Sequence, residues 1–331
     1  MSNVVDLLHF DEDGLKALYA ERIEPILRTQ EDGRGRAMST YRLRVVIGVI
    51  GALAVAGIAY AVSSEIMNGL IFGGMAFAGA HWWAYQPLQA VATNTKLQSL
   101  TAIANAIGCG YEIGGFQPAA LPKFNELRLL PHCDRSSFED CFSGKHRGCA
   151  FAFYEGHLEQ RIQTKNGSHW VTVFRGQLVR IAFPKKFLGT TIVKRDAGLF
   201  NFMQKWMTGL DRVGLGDSRL ERAFEVYSND QVEARYLIHP VFMERLLDLE
   251  THFKGKNLRC AFVEGDLLIA IEGGDKFEVG TMFAHLDDIE RVRAIVRDVS
   301  EIMRVIEAVL TAERGVLPNE TGPASPPGPS S

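Results

Sequence analysis

This sequence lacks the spacings that announce chemistry. It has no GxxxxGK[ST] phosphate loop, no GxGxxG after a strand, no GxSxG elbow and no HExxH helix. Each of those patterns fixes backbone donors, a nucleophile or metal ligands in one geometry. Their absence weakens the case for an enzyme and assigns no catalytic or cofactor-binding residue. An excess of basic charge is also missing. With 36 Lys and Arg against 39 Asp and Glu, the chain does not look like a nucleic-acid binder, which usually carries a strongly basic domain. Cysteine is scarce: five residues, an odd number with no CxxC pair, read as free thiols in a reducing compartment. The densest Cys/His group is His132, Cys133, Cys141, His146 and Cys149, with Cys109 upstream. Its spacings match no standard zinc ribbon, so no metal is assigned and buried or surface thiols are the plainer reading. The first 40 residues contain no apolar stretch of signal-peptide type, so the first long apolar run is expected to act as an uncleaved signal-anchor.

What the sequence does have is two such runs. Val45 to Val62 is eighteen residues without a charge, and Gly69 to Tyr85 is again uncharged, with SSEIMN between them. A run of about 18 apolar residues is long enough to cross a bilayer as a helix, the form that satisfies its backbone internally. The pattern predicts a tight transmembrane hairpin, with spans near 45–62 and 67–85. A buried hairpin in a soluble protein is the alternative. Arg28, Arg34, Arg36, Arg42 and Arg44 precede the first span, and the loop carries only Glu65. Basic residues favour the cytoplasmic side, which predicts a multi-pass membrane protein with both termini cytoplasmic and the short loop outside. His81, Trp82, Trp83 and Tyr85 close the second span as an interfacial aromatic belt does. Gly69 with Gly73, and Gly74 with Ala78, give small residues at spacing four, suited to close helix packing or to homo-oligomerisation through the same face. Neither span has an ionisable residue at mid-membrane, which favours an anchor over a conduit.

Taken in order, residues 1–40 read as a cytoplasmic amphipathic helix, capped at Asp11 or Asp13 and kinked at Pro25, followed by the linker EDGRGRAMS. That helix lies either on the membrane or a partner, or against the chain's own later domain. Residues 41–90 hold the hairpin, and 91–116 a juxtamembrane helix that stops at Gly108-Cys109-Gly110. Residues 117–314 form a cytoplasmic α+β domain, and 315–331 a Pro-, Gly- and Ser-rich tail expected to be disordered. Within the domain, CAFAFYEG, HLEQRIQTK, HWVTVFRG, QLVRIAFP and TTIVK read as short strands of an antiparallel meander. Phe224 to Tyr227 adds a strand. Helices are expected on both sides of Pro240, then the hairpin LRCAFVEG/DLLIAIEGG, the strand KFEVG, and a long C-terminal helix opened by Asp287 with apolar positions from Val292 to Leu310 and ended by Gly315 and Pro318. A small barrel is one form such a sheet takes. CAFAFYEGHLEQRI and CAFVEGDLLIAI echo each other as strand, Glu-Gly turn, strand.

VFRGQLVRIAFPKKFLGTTIVKRD at 173–196 and FEVYSNDQVEARYLIHPVFMERLLDL at 224–249 resemble a bacterial family catalogued as domain of unknown function 3137. The resemblance extends to GKNLRCAFVEGDLLIAIEGGDKFEVG, to FEDCFSGKHRGCAFAFYEGHLEQRI and to the early hairpin. It implies an inner-membrane protein with a cytoplasmic α+β domain, and no activity or catalytic residue.

Two groups of residues stand out as a candidate interaction surface. Among Asp230, Glu233 and Arg235, Asp230 and Glu233 are three apart and Gln231 and Arg235 four apart, so pairing across one helical face is feasible; Arg235 is expected to form an internal ion pair or to join a recognition face. Lys185 and Lys186 belong to a basic series with Arg175, Arg180, Lys194 and Arg195, readable as a solvated strand face or as a surface for anionic headgroups. The expected function is a membrane-anchored scaffold or adaptor with a protein partner. A lipid- or ligand-sensing module is the alternative, and an enzyme the remaining reading. No cofactor is expected.

Overall fold

A computed structural model describes residues 12–118, 120–165, 167–195, 209–273 and 289–313. The expected cap at Asp11, the KFEVG strand, the Asp287 cap and the 315–331 tail lie outside these residues. The chain divides into two compact units: Phe10–Ala106 with Phe277–Arg293, and Met1–His9, Ile107–Lys276 and Ala294–Ser331.

The first unit is helical. Helix α1, Glu12–Leu18, runs through a π-helical turn, Tyr19–Ile23, into α2, Glu24–Ser63. Pro25 sits in the first turn of α2, and the irregularity expected at Pro25 falls in the π turn just before it. The EDGRGRAMS segment, expected as a linker, is helical within α2. Helix α3, Ile66–Ile107, fuses the second apolar run and the juxtamembrane helix into one element. The helices lie antiparallel. A Cβ on Gly48 would stand 2.8 Å from Ala80 Cβ, one on Gly73 would stand 2.7 Å from Ala56 Cβ, and one on Gly69 would meet Ala56 O at 3.0 Å. The Gly69/Gly73 pair is therefore where α3 meets α2, whereas Gly74 has open space beside it. Arg44 lies 4.5 Å over the Trp83 ring, and Tyr41 meets Tyr85 edge-on.

Among the described residues one segment, Met38–Ser63, is long and apolar enough to cross a membrane by length and composition. The second expected span carries no charge, but four glycines, His81 and two tryptophans dilute it, and it does not reach that standard. A two-span hairpin therefore goes beyond what length and composition establish.

The second unit is α+β. Its strands are β1 (Gly110–Gly114), β2 (Arg135–His146), β3 (Cys149–Thr164), β4 (Gly167–Ala182), β5 (Thr191–Arg195), β6 (Asp211–Val213), β7 (Phe224–Ser228), β8 (Lys256–Val263) and β9 (Asp266–Glu272). Its helices are α4 (Leu121–Glu126), α5 (Ser218–Ala223), α6 (Gln231–Leu237), α7 (Pro240–His252) and α8 (Ile289–Glu313, which begins in the first unit). Among the described residues the strands form one antiparallel sheet ordered β1-β2-β3-β4-β9-β8-β5-β7-β6. It is open, with β1 and β6 at its ends, and not a closed barrel.

The first four of the five strands expected in the meander are two long strands, β3 and β4. Glu155-Gly156 and Arg175-Gly176, read as turns, lie inside β3 and β4, where Gly156 pairs with Gly176. The glycines serve close backbone approach, not reversal: a Cβ on Gly176 would overlap the Ile271 carbonyl oxygen of β9. The internal echo fails for the same reason, because Glu264-Gly265 is a true turn, with φ of 54° and 104°. Strand β9 is buried from Asp266 to Ile271, as a strand covered on both faces is. On β8, Ala261 joins the cluster around Phe124 of α4, while its neighbour Phe262 packs against Phe242 of α7 at 5.2 Å. The predicted helices about Pro240, the β8–β9 hairpin and α8 appear as read. Val292, Ile295, Val299, Ile302, Met303, Ile306 and Val309 of α8 are all buried. Three histidines meet α8: His146 Nε2 is 2.6 Å from Glu307 Oε1, His239 Nε2 is 3.1 Å from the Ala308 carbonyl and His252 Nε2 is 2.5 Å from Asp298 Oδ1.

One buried carboxylate joins α7 to two strands. Glu250, 5 % exposed, accepts through Oε2 from the Arg195 guanidinium of β5 and through Oε1 from the Leu258 N–H of β8 at 3.0 Å. Removing one partner of a buried pair leaves the other uncompensated, at about 3–5 kcal/mol. Glu250→Ala is expected to lose roughly 3 kcal/mol in urea unfolding of the purified chain, on that same basis. A loss below about 0.5 kcal/mol, the usual scale for surface changes, would contradict this role.

Candidate functional site: a loop fastened to helix α6

The segment between β4 and β5 is pinned from within. Phe183 and Phe187 are buried, in contact with each other at 5.7 Å, and Phe187 meets Phe262 at 5.0 Å. The Phe183 N–H donates to the Gly265 carbonyl at 2.8 Å. Between these anchors Lys185 and Lys186 stand exposed. The next two N–H groups need acceptors, and Glu233 of α6 supplies both. Leu188 N–H donates to Oε1 and Gly189 N–H to Oε2, each at 2.8 Å.

The start of α6 explains why Glu233 is free for this. Asp230 is the N-cap, its Oδ1 accepting from Val232 N–H at 3.0 Å and Glu233 N–H at 2.9 Å. A glutamate three residues after the cap ordinarily reaches back to the cap's own N–H. Here Ser228 Oγ takes that N–H at 3.0 Å, so the carboxylate turns to the loop. Asn229 Oδ1 accepts from Thr190 N–H at 2.7 Å. A Cβ on Gly189 would stand 2.5 Å from Asn229 Oδ1 and 2.8 Å from Asp230 Cβ, so only glycine fits this approach.

Two stretches far apart in sequence, the loop that carries Lys185 and Lys186 and the start of α6 at Asp230 and Glu233, thus meet at one junction. Their roles differ. Asp230 and Glu233 are consumed in building it. Arg235 is exposed and, among the described residues, makes no ion pair, so the expected internal pair is absent. Beside these residues stand three apolar side chains that the sequence did not single out: Leu188 and Val232, each 82 % exposed, and Tyr236, 44 % exposed. Val232 and Tyr236 share one face of α6 at spacing four. A valine among polar neighbours in the first turn of a capped helix was the signal available.

The rest of the basic series divides. Arg180 pairs with Asp266 at 2.9 Å, Lys194 with Glu225 at 3.0 Å, and Arg195 with Glu250. These cations hold the sheet together. Cys109, Cys141, Cys149 and Cys260 are buried, and burial pushes the Cys109 and Cys141 thiols up to about 12. They stay protonated at neutral pH and are poor nucleophiles. His146 is engaged by Glu307. Among the described residues no three His, Cys, Asp or Glu side chains gather as a metal site.

Hydrogen bonds to a charged acceptor contribute about 1.5–3 kcal/mol each. Glu233→Ala is therefore expected to speed amide hydrogen exchange at Leu188 and Gly189 by at least about tenfold, the factor equal to about 1.4 kcal/mol, while exchange in β8 and β9 is unchanged. Unaltered exchange at both amides would show that the loop holds itself.

No curated protein matches this chain. The crystal structure of the mycobacterial trehalose monomycolate transport factor A, TtfA, is similar at 12 % identity, covering 62 % of this chain and 93 % of that one, with a TM-score of 0.32; at that score the likeness carries no argument. The resemblance read at 138–162 and in the early apolar runs lies outside the residues that a family model matches. Residues 172–310, which hold most of β4, the fastened loop, α6 and nearly all of α8, match the model of the family described as Protein of unknown function (DUF3137).

Proposed function

We propose that this chain is an adaptor anchored in the bacterial inner membrane, whose sheet domain binds a protein partner through the loop at 184–189 and helix α6. The observation that carries the reading is the exposure of Leu188, Val232 and Tyr236 on backbone that Glu233 and Asp230 hold fixed. Apolar side chains on a rigid frame with basic neighbours suit a protein surface, where a few apolar and aromatic anchors dominate binding. Lys185, Lys186 and Arg235 favour a partner segment with acidic residues flanking an apolar one.

The anchor reading is supported by composition and exposure. Ile50, Leu53, Ile58, Leu70, Met75 and Trp82 each present more than 60 % of their surface outward, and apolar surface on that scale marks a membrane or partner face. The arginines before Val45 favour cytoplasmic termini. In this reading α2 and α3 both cross the bilayer, and the free thiols and the sheet domain lie on the cytoplasmic side.

A photo-crosslinking residue placed at Val232 of the full chain in its native membrane tests the proposal. A discrete protein adduct is expected, lost on Leu188→Asp and absent when the residue is placed at Gln163. Adducts to lipid alone, or protein adducts equal at both positions, would overturn it in favour of the lipid-sensing alternative or of no site there.

A further inference from the structure

A groove lies elsewhere on the sheet. Strand β4 pairs with β9 over Gly176 to Ala182, and its first half lies beyond the end of β9. There the surface opens into a groove of about 520 Å³, whose lining includes Arg175, Lys254, Gly255, Lys256, Glu272 and Gly273. Part of that lining is main chain in close approach. A Cβ on Gly255 would overlap Ile271 Cγ2 and stand 2.9 Å from the Glu272 carbonyl. The Gly273 N–H donates to the Arg175 carbonyl at 2.8 Å.

The lysines are placed by a fixed turn. After α7 the chain turns through Lys254 at φ +48°, in the left-handed region that L residues rarely adopt. Lys254 N–H donates to the Thr251 carbonyl at 2.9 Å and Gly255 N–H to the Glu250 carbonyl at 2.8 Å. Both lysines and Arg175 are exposed. The carboxylate in the lining is already matched: Glu272 Oε1 accepts from Arg259 and Oε2 from Asn257 at 2.8 Å. Among the described residues neither lysine makes an ion pair. Among the described residues the groove therefore carries the unpaired positive charge of Lys254 and Lys256 in a concave setting, which concentrates anions.

We infer that this groove binds a phosphate group, carried by an anionic lipid headgroup or by a free phosphorylated small molecule. Lysine ammonium groups serve as point charges for phosphate, and the close packing of Gly255 on Ile271 holds the turn that carries them. This site is separate from the loop at 184–189 and does not rest on the partner reading.

Isothermal titration of the full chain in nonionic detergent with sodium pyrophosphate, and separately with dioctanoyl phosphatidate, tests it. Saturable binding of at least one probe is expected, weakened at least tenfold by Lys254→Ala with Lys256→Ala and unchanged by Lys185→Ala with Lys186→Ala. Each double variant is first checked for native thermal unfolding. If the first does not fold, Lys254→Gln and Lys256→Gln are tested singly, each expected to weaken binding at least threefold. Binding of pyrophosphate alone points to a free phosphorylated molecule, and of phosphatidate alone to a headgroup. No saturable heat with either probe, or undiminished binding in the Lys254 and Lys256 variants, would overturn the assignment.

Discussion

Backbone N–H groups in a turn that leaves a sheet must find acceptors, and for two of them between β4 and β5 the acceptor is the Glu233 carboxylate. The bond spans 45 residues of sequence. It fastens the loop to the first turn of α6, while β5 pairs with β7 immediately before that helix. Capping of α6 by Asp230, capture of the Asp230 N–H by Ser228 and the close approach at Gly189 all serve the same junction. Because its polar groups are satisfied internally, the side chains left facing outward, Leu188, Val232, Tyr236, Lys185, Lys186 and Arg235, are presented on fixed backbone.

Charge is distributed in the same way across the sheet domain. Several strand cations, and Lys123 of α4, are spent on structure: Arg195 against Glu250, Arg180 and Lys123 against Asp266, and Lys194 against Glu225. Four lysines in or beside turns make no ion pair among the described residues. Lys185 and Lys186 flank the fastened loop, and Lys254 and Lys256 flank the groove at the end of α7. A nearly neutral chain thus keeps two local positive regions, each beside backbone in close approach.

Elements set by local pattern were legible in the sequence. The spacing from Val292 to Val309 marked α8, Pro240 marked the start of α7, and the apolar runs of β8 and β9 about a Glu-Gly turn marked their hairpin. Strands β3 and β4 were misdivided because glycine signals both reversal and close approach, and only the neighbouring β9 distinguishes them. Strand β2 was hidden because Ser, Gly and Lys interrupt its apolar residues and Asp140 takes a positive φ. At the site, the types and numbers of Asp230, Glu233, Lys185 and Lys186 were legible, but their meeting depends on β5 pairing with β7. The groove was illegible except for Lys-Gly-Lys at the end of an amphipathic helix, a weak mark until Ile271 is known to press against Gly255.

The account depends most on an anchored chain that presents the sheet domain to the cytoplasm. Cysteine accessibility in intact cells tests this directly. With the native cysteines replaced, single cysteines at Ser64 and at Val232 are exposed to a membrane-impermeant maleimide. The account predicts labelling at Ser64 from outside, and at Val232 only after the membrane is opened. Labelling of Val232 in intact cells, or recovery of the chain in the soluble fraction, would contradict it.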